Sequence, residues 1–389
     1  MSLHRVVLLP DGSTSLPCVG QTPFAKTQLT AGAQLAEGYH SLYKFKAQPD
    51  GAVPLGNLLL AGKNLYGTTV EGGASQWGSV FEIASSGQER VVYSFGGNPD
   101  GAYPCDGLIE VKNTFYGTTE TGGQHGWGTV FSLTPSGQER VLYSFKAGKD
   151  GAVPYAGLLY FKGKFYGTTT QGGEHGWGTI FEISPGPKER VLYSFKAGTK
   201  DGAYPFGKLV AIKDVLVGTT TQGGNPGWGT IFACTLAGKE HIVHSFKAST
   251  SDGAYPFDAL TEYNGKYYGT TKEGGAIGYG AVFALSTSGK EGLVYSFKGG
   301  NKDGAYPYAG LTELNGVLYG VTANGNRANW GTIFAVTRGG RESVVYNFKA
   351  GADGALPLAR LVNDNGTLYG TTFGGGGSPP WGTVFSYTP

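Results

Sequence analysis

Leu158-Leu159-Tyr160-Phe161-Lys162-Gly163-Lys164-Phe165-Tyr166-Gly167-Thr168-Thr169 reads as two short strands joined by a tight hairpin turn at Lys162-Gly163. Aromatic and β-branched residues fill both runs and glycine punctuates them, as strands require. A glycine-rich loop from Thr170 to Trp177 follows, and a third strand is predicted over Gly178 to Ile183. After a turn at Ser184-Pro185-Gly186-Pro187, a fourth is predicted over Glu189 to Phe195. No stretch of this unit carries a helical period.

Two markers show that the unit recurs. Asp-Gly-Ala-x-Pro begins at Asp50, Asp100, Asp150, Asp201, Asp252, Asp303 and Asp353. The Tyr-Gly-Thr-Thr block begins at Tyr66, Tyr116, Tyr166, Val217, Tyr268, Tyr319 and Tyr369, with Val217 and Val321 as its departures. Seven copies of four antiparallel strands, 50 or 51 residues apart, predict an all-β, seven-bladed β-propeller. The last copy stops after its third strand, Gly382 to Tyr387, while Tyr39-His40-Ser41-Leu42-Tyr43-Lys44-Phe45 aligns with the fourth strand of the third copy. The two chain ends are therefore expected to share one blade and close the ring, which removes two sheet edges. The division is residues 1–38 as an N-terminal extension and 39–389 as the propeller. The apolar third and fourth strands are expected to be buried on both faces between blades.

Composition excludes several classes. Of 389 residues, 15% are charged and the formal net charge is +2, with no basic cluster, so neither nucleic acid nor an anionic membrane is expected as a partner. No apolar run reaches membrane-spanning length. Cys18, Cys105 and Cys234 sit at unrelated repeat positions and define neither a disulfide framework nor a zinc spacing. The first ten residues hold too short an apolar stretch for a signal peptide, so export with a signal absent from this chain and a cytoplasmic location both stay open.

Strand direction sends the second-to-third loops and the inter-blade connections to one face, where binding residues are to be sought. Trp77, Trp127, Trp177, Trp228, Trp330 and Trp381 share one position there, with Tyr279 in the remaining copy. A residue needed in every blade points to packing against the next blade before it points to a ring of sugar platforms. The repeated aspartate likewise points to an Asx-type turn before a calcium ligand.

Chemistry is expected where the copies differ. The positions before the innermost strand should ring the central channel, and they place Asn57, Asp106, Lys208, Asp258 and Arg360 at its mouth. Two carboxylates facing two cations suit an anionic or polyhydroxylated ligand, or acid/base work. In the glycine-rich loops His125 and His175 recur one blade apart, and Arg327 stands alone. The catalytic candidates are Asp106, Lys208, Asp258, Arg360, His125 and His175. The ligand-binding candidates are Asn57, Asp106, Lys208, Asp258, Arg327 and Arg360. The two histidines with Glu174 lack further ligands at metal-site spacing, so no metal and no cofactor are assigned.

Tyr166-Gly167-Thr168-Thr169-x-x-Gly172-Gly173 followed by Trp177-Gly178-Thr179-Ile180-Phe181 resembles the bacterial GloVer tandem repeat, of the choice-of-anchor family, over about residues 40–389. That resemblance implies an exported or surface-attached protein and carries no shared catalytic residues. The blade layout is also similar to quinoprotein-type propellers, where a tryptophan pins each blade.

Three functions follow as expectations. The first is a non-catalytic binding propeller for carbohydrate, another small polar ligand or a cell-surface protein, acting as a monomer. The second is a polysaccharide-active enzyme, a lyase or glycoside hydrolase, with one site at the channel mouth. The third is a structural or protein-interaction platform. Propellers host all three.

Overall fold

The structure is a computed structural model that describes residues 38–184, 186 and 188–389. All but one residue of the N-terminal extension, and both prolines of the turn at Ser184, lie outside the described residues. Seven four-stranded antiparallel sheets form the blades of a propeller. In blade 3 the strands are Leu159–Phe161, Lys164–Thr169, Thr179–Ser184 and Lys188–Ser194, running from the channel outward. Blade 7 joins Val362–Asp364, Thr367–Thr372 and Thr383–Tyr387 to the N-terminal strand Tyr39–Lys44. Their register runs from Tyr39 opposite Tyr387 to Lys44 opposite Thr383, so the ring closes as the repeat count requires.

The third strand is buried along its whole length in three blades and at all but one or two residues in the others, whereas the fourth is half-exposed, contrary to the expectation of burial on both faces. The fourth strand is the outer edge of each wedge, so water reaches it. In every blade a β-bulge interrupts its pairing with the third strand, as between Ile180 and Phe181 of blade 3. A bulge bends the strand that carries it and increases the local right-handed twist.

The repeated residues solve packing problems. In the Tyr-Gly-Thr-Thr block, a Cβ on Gly167 would lie 2.4 Å from Cζ of Phe181, a fully buried ring of the third strand. The same glycine–phenylalanine contact recurs in every blade, as at Gly67 with Phe81 and Gly370 with Phe385. Gly167→Ala is expected to cost about 1–3 kcal/mol through overpacking, read as a lower midpoint in urea unfolding. A midpoint unchanged from wild type would mean that Phe181 has room to move.

The inter-blade clip uses both markers. The residue between Ala and Pro of Asp-Gly-Ala-x-Pro has positive φ in all seven copies, from 54° at Leu356 to 60° at Val53. This conformation is costly for a β-branched side chain. It turns the N–H of that residue onto the main-chain carbonyl of the previous blade's tryptophan, as in Tyr204 to Trp177 at 3.1 Å and Leu356 to Trp330 at 2.9 Å. The indole then packs edge-on against the same residue, with Trp177 and Tyr204 ring centroids 5.2 Å apart at 81°. The tryptophans are half-buried, with Trp77 the most open at 38%. The packing role is therefore the one they fill.

The repeated aspartate is an intramolecular clamp. Asp201 accepts from the Tyr193 hydroxyl at 2.7 Å, from Lys196 N at 2.8 Å and from its neighbour Gly202 N at 2.7 Å. Equivalent bonds hold the turn after the other fourth strands, except that at Asp252 the imidazole of His244 takes the place of the tyrosine hydroxyl.

Candidate functional site

The channel mouth is built where each connection turns into its first strand. Five residues of divergent type meet there: Asn57, Asp106, Lys208, Asp258 and Arg360. Threonines of the second strands hold this collar, with Thr68 Oγ1 donating to Asp106 O at 3.0 Å and Thr219 Oγ1 to Asp258 O at 3.3 Å. Each bond runs from one blade to the next.

The carboxylates are themselves ring-closing groups. Asp106 Oδ1 accepts from Gly107 N at 2.6 Å and Asn57 Nδ2 at 3.0 Å, and Oδ2 accepts from Gly157 N of the following blade at 2.7 Å. Asp258 repeats the motif with Ala259 N at 2.6 Å and Gly310 N at 2.7 Å. Asn57 Oδ1 accepts from Arg360 N at 2.7 Å, so the motif also crosses the seam. The Arg360 guanidinium reaches across two blades and donates to Thr261 Oγ1.

The electrostatics are those of a partly desolvated quartet. Burial pushes the Asp258 carboxyl up; Arg360 opposes this, Asp106 reinforces it, and the two backbone donors pull it back down. Burial pulls the Lys208 ammonium down against the attraction of Asp106 and Asp258, with Arg360 adding to the depression. The Arg360 guanidinium is lowered by burial too and supported by the same two carboxylates. A guanidinium stays charged under such shifts.

A second layer was not read from the sequence. The residues after the Asp-Gly-Ala-x-Pro prolines form an aromatic arc beside the quartet: Tyr155 to Phe206 at 5.0 Å, Phe206 to Phe257 at 5.4 Å, and Phe257 to Tyr308 at 5.2 Å. Burial first, then Glu120 and Asp106, raise the Tyr155 phenol, which places it among the mouth charges. Glu120 is pushed up to about 7 by burial. Opposite in sign, the Lys272 ammonium lies 5.7 Å from the Tyr308 ring centroid. The signal that could have found this arc is a run of aromatics at one repeat position, hidden among many aromatics with core roles.

The remaining candidates lie elsewhere. His125, His175 and Arg327 are exposed. The main chain at His125 donates to Ser144 Oγ at the end of an outer strand, which leans that loop toward the rim rather than the channel. Glu174 meets Lys149 at 3.5 Å. Among the described residues, neither His125 nor His175 belongs to a group of three side chains close enough to share an ion. A groove of about 430 Å³ between blades 5 and 6, lined in part by Lys266, Lys290 and Arg338, contains none of the mouth residues.

Fold and site thus define a closed seven-bladed propeller with a polar, aromatic-rimmed channel mouth. The Gloeobacter/Verrucomicrobia repeat matches residues 30–176, 114–334 and 162–385, and the chain belongs to that family. No curated protein matches it. Among solved structures it is similar to a mutant puromycin hydrolase, at 11% identity and a TM-score of 0.50, over 82% of this chain and 50% of that one. It is also similar to a putative 6-phosphogluconolactonase from Bacteroides uniformis, at 14% identity and a TM-score of 0.49, over 79% of this chain and 88% of that one. A gluconolactonase from Xanthomonas campestris matches at 12% identity and a TM-score of 0.40, over 71% and 82%. At such identities the likeness is one of fold alone.

Proposed function

We propose that this chain is a non-catalytic binding propeller that takes an acidic carbohydrate, or another small polyhydroxylated anion, at the loop-face mouth of its channel. The observation that carries this reading is the division of labour in the quartet. Asp106 and Asp258 direct both oxygens at backbone N–H groups, which suits scaffolding and leaves neither free as a general base. Lys208 and Arg360 are then the groups positioned to meet a ligand carboxylate or sulfate, and the arc from Tyr155 to Tyr308 offers flat faces to sugar rings. The family resemblance favours an exported or surface-attached protein, which would meet such polymers outside the cell.

The test is calorimetric titration with neutral and acidic oligosaccharides, run beside an assay for released product. Lys208→Ala is expected to weaken binding of the acidic ligand at least tenfold with little change in unfolding midpoint. Tyr155→Ala should weaken neutral and acidic ligands alike. Binding that survives the double replacement of Lys208 and Arg360 by alanine would move the site away from the mouth. Product release by wild type that is lost in Lys208→Ala would turn the reading to a polysaccharide-active enzyme.

A further inference from the structure

At each boundary between blades the outer strands bring three side chains together. One is the aromatic residue near the end of a fourth strand, the second is the clamp aspartate after it, and the third is the first residue of the next blade's fourth strand. Between blades 3 and 4 these are Tyr193, Asp201 and Glu240. The tyrosine hydroxyl donates to the aspartate, and the glutamate faces both. Five boundaries pair a tyrosine with a glutamate in this way, and between blades 6 and 7 Tyr39 stands where the glutamate would be, beside Tyr346 and Asp353. Between blades 4 and 5 the phenol is replaced by an imidazole, and the trio is His244, Asp252 and Glu291.

We propose that His244, Asp252 and Glu291 form a binding site for a divalent cation of the zinc class, shared between blades 4 and 5. One ligand atom from each lies within 4.8 Å of the others. His244 Nε2 is 3.3 Å from Asp252 Oδ1 and 3.9 Å from Glu291 Oε2. Two ligand atoms each about 2.0–2.2 Å from a tetrahedral ion stand roughly 3.3–3.5 Å apart. The first pair is therefore already spaced for coordination, and the second needs about half an ångström of closure.

The surroundings suit ligation. Asp252 Oδ2 accepts from Lys247 N at 3.0 Å and Oδ1 from Gly253 N at 2.7 Å. Those bonds fix the carboxylate and leave one lone pair of Oδ1 directed at His244, the outer-shell support that metal ligands normally have. The Glu291 side chain is only 7% exposed, yet its Oε1 has no hydrogen-bond partner. Burying that oxygen unpaired is costly, as it is in the other five boundary glutamates, and here a cation held beside Oε2 between the two carboxylates would offset the cost. The His244 side chain is 19% exposed, so an ion can enter from the rim. Three protein ligands of mixed N and O type leave a fourth position for water. This site stands apart from the channel mouth and does not depend on the function proposed for it.

The repeat supplies its own control. His244→Tyr restores the arrangement of the other boundaries and should fold like wild type. Protein freed of metal with a chelator and titrated with zinc chloride is expected to bind one ion per chain and to unfold at a higher temperature when loaded. His244→Tyr should weaken zinc binding at least tenfold and abolish the thermal shift, and Glu291→Gln should weaken binding without altering the metal-free midpoint downward. His241→Ala, which removes an exposed histidine three residues away, should leave both readouts intact. The proposal fails if wild type takes up no stoichiometric zinc, or if His244→Tyr binds it as tightly as wild type. An ion pair between His244 and the two carboxylates, with no metal, would give the first of those results.

Discussion

Replacing Tyr39 by alanine is expected to remove about 3–5 kcal/mol of unfolding free energy, measured by chemical denaturation, the usual cost of truncating a buried aromatic. Tyr39 is 1% exposed. Its ring stacks on Tyr346 at 4.0 Å and 6° and lies 5.4 Å from Phe385, and its hydroxyl donates to Asp353 O. It is also the first residue of the strand that completes blade 7. Losing it opens a cavity at the one boundary where no covalent connection joins neighbouring parts of the ring. Tyr39→Phe keeps the stack and loses one hydrogen bond, so about 1 kcal/mol is expected. If Tyr39→Ala costs less than 1 kcal/mol, the seam is not what holds the propeller closed.

The second large effect is on pH. Glu89, Glu139, Glu189, Glu240, Glu291 and Glu342 are each pushed up to about 7 by burial and, for all six, by the negative clamp aspartate of the preceding connection. All six have an Oε1 that is buried without a hydrogen-bond partner. In the unfolded chain these carboxyls titrate near 4.5, so between pH 4.5 and 7 the folded state holds more protons than the unfolded one. Stability from these groups is therefore greatest below about pH 4.5, falls as pH rises, and levels off above about 7. Thermal unfolding followed across that window should show the decline. Glu139→Gln should raise stability by roughly 1–2 kcal/mol at pH 8 and leave it little changed at pH 4.5. A variant equally stabilised at both values would show that the charge is not the cause.

The propeller was legible because its determinants are local and repeated. Gly167 beside Phe181, the clamp at Asp201 and the clip from Tyr204 to Trp177 each occur in every blade or nearly so, and a pattern present seven times separates from background. The closing strand was legible for the same reason, since Tyr39 to Phe45 is a fourth strand displaced to the far end of the chain. At the mouth, the collar positions follow from strand direction, which is why Asp106, Lys208, Asp258 and Arg360 were anticipated together. What strand direction cannot tell is where a carboxylate spends its lone pairs, and both aspartates turn inward to the main chain of the next blade. His125 and His175 were grouped by their adjacency in the repeat, but loop geometry leaves both exposed and sends the His125 loop toward the rim. The trio at His244 was missed because its members sit at three unrelated positions of the unit and meet only through the twist of the outer strands.

The seam has one more property. At the place where six boundaries carry a glutamate, the closing strand carries Tyr39, stacked on Tyr346. The fourth strands of blades 2 and 3 both read Glu-Arg-Val-Leu-Tyr-Ser-Phe, so a newly made, three-stranded last blade meets several near-identical candidates, in its own chain and in neighbouring chains. Any of those would put a glutamate in the place of Tyr39 and lose both the stack on Tyr346 and the hydrogen bond to the Asp353 carbonyl. One stacked ring and one hydrogen bond thus distinguish the chain's own closing strand from its look-alikes. That difference weights closure toward the chain's own first strand over the same strand of another blade or another molecule.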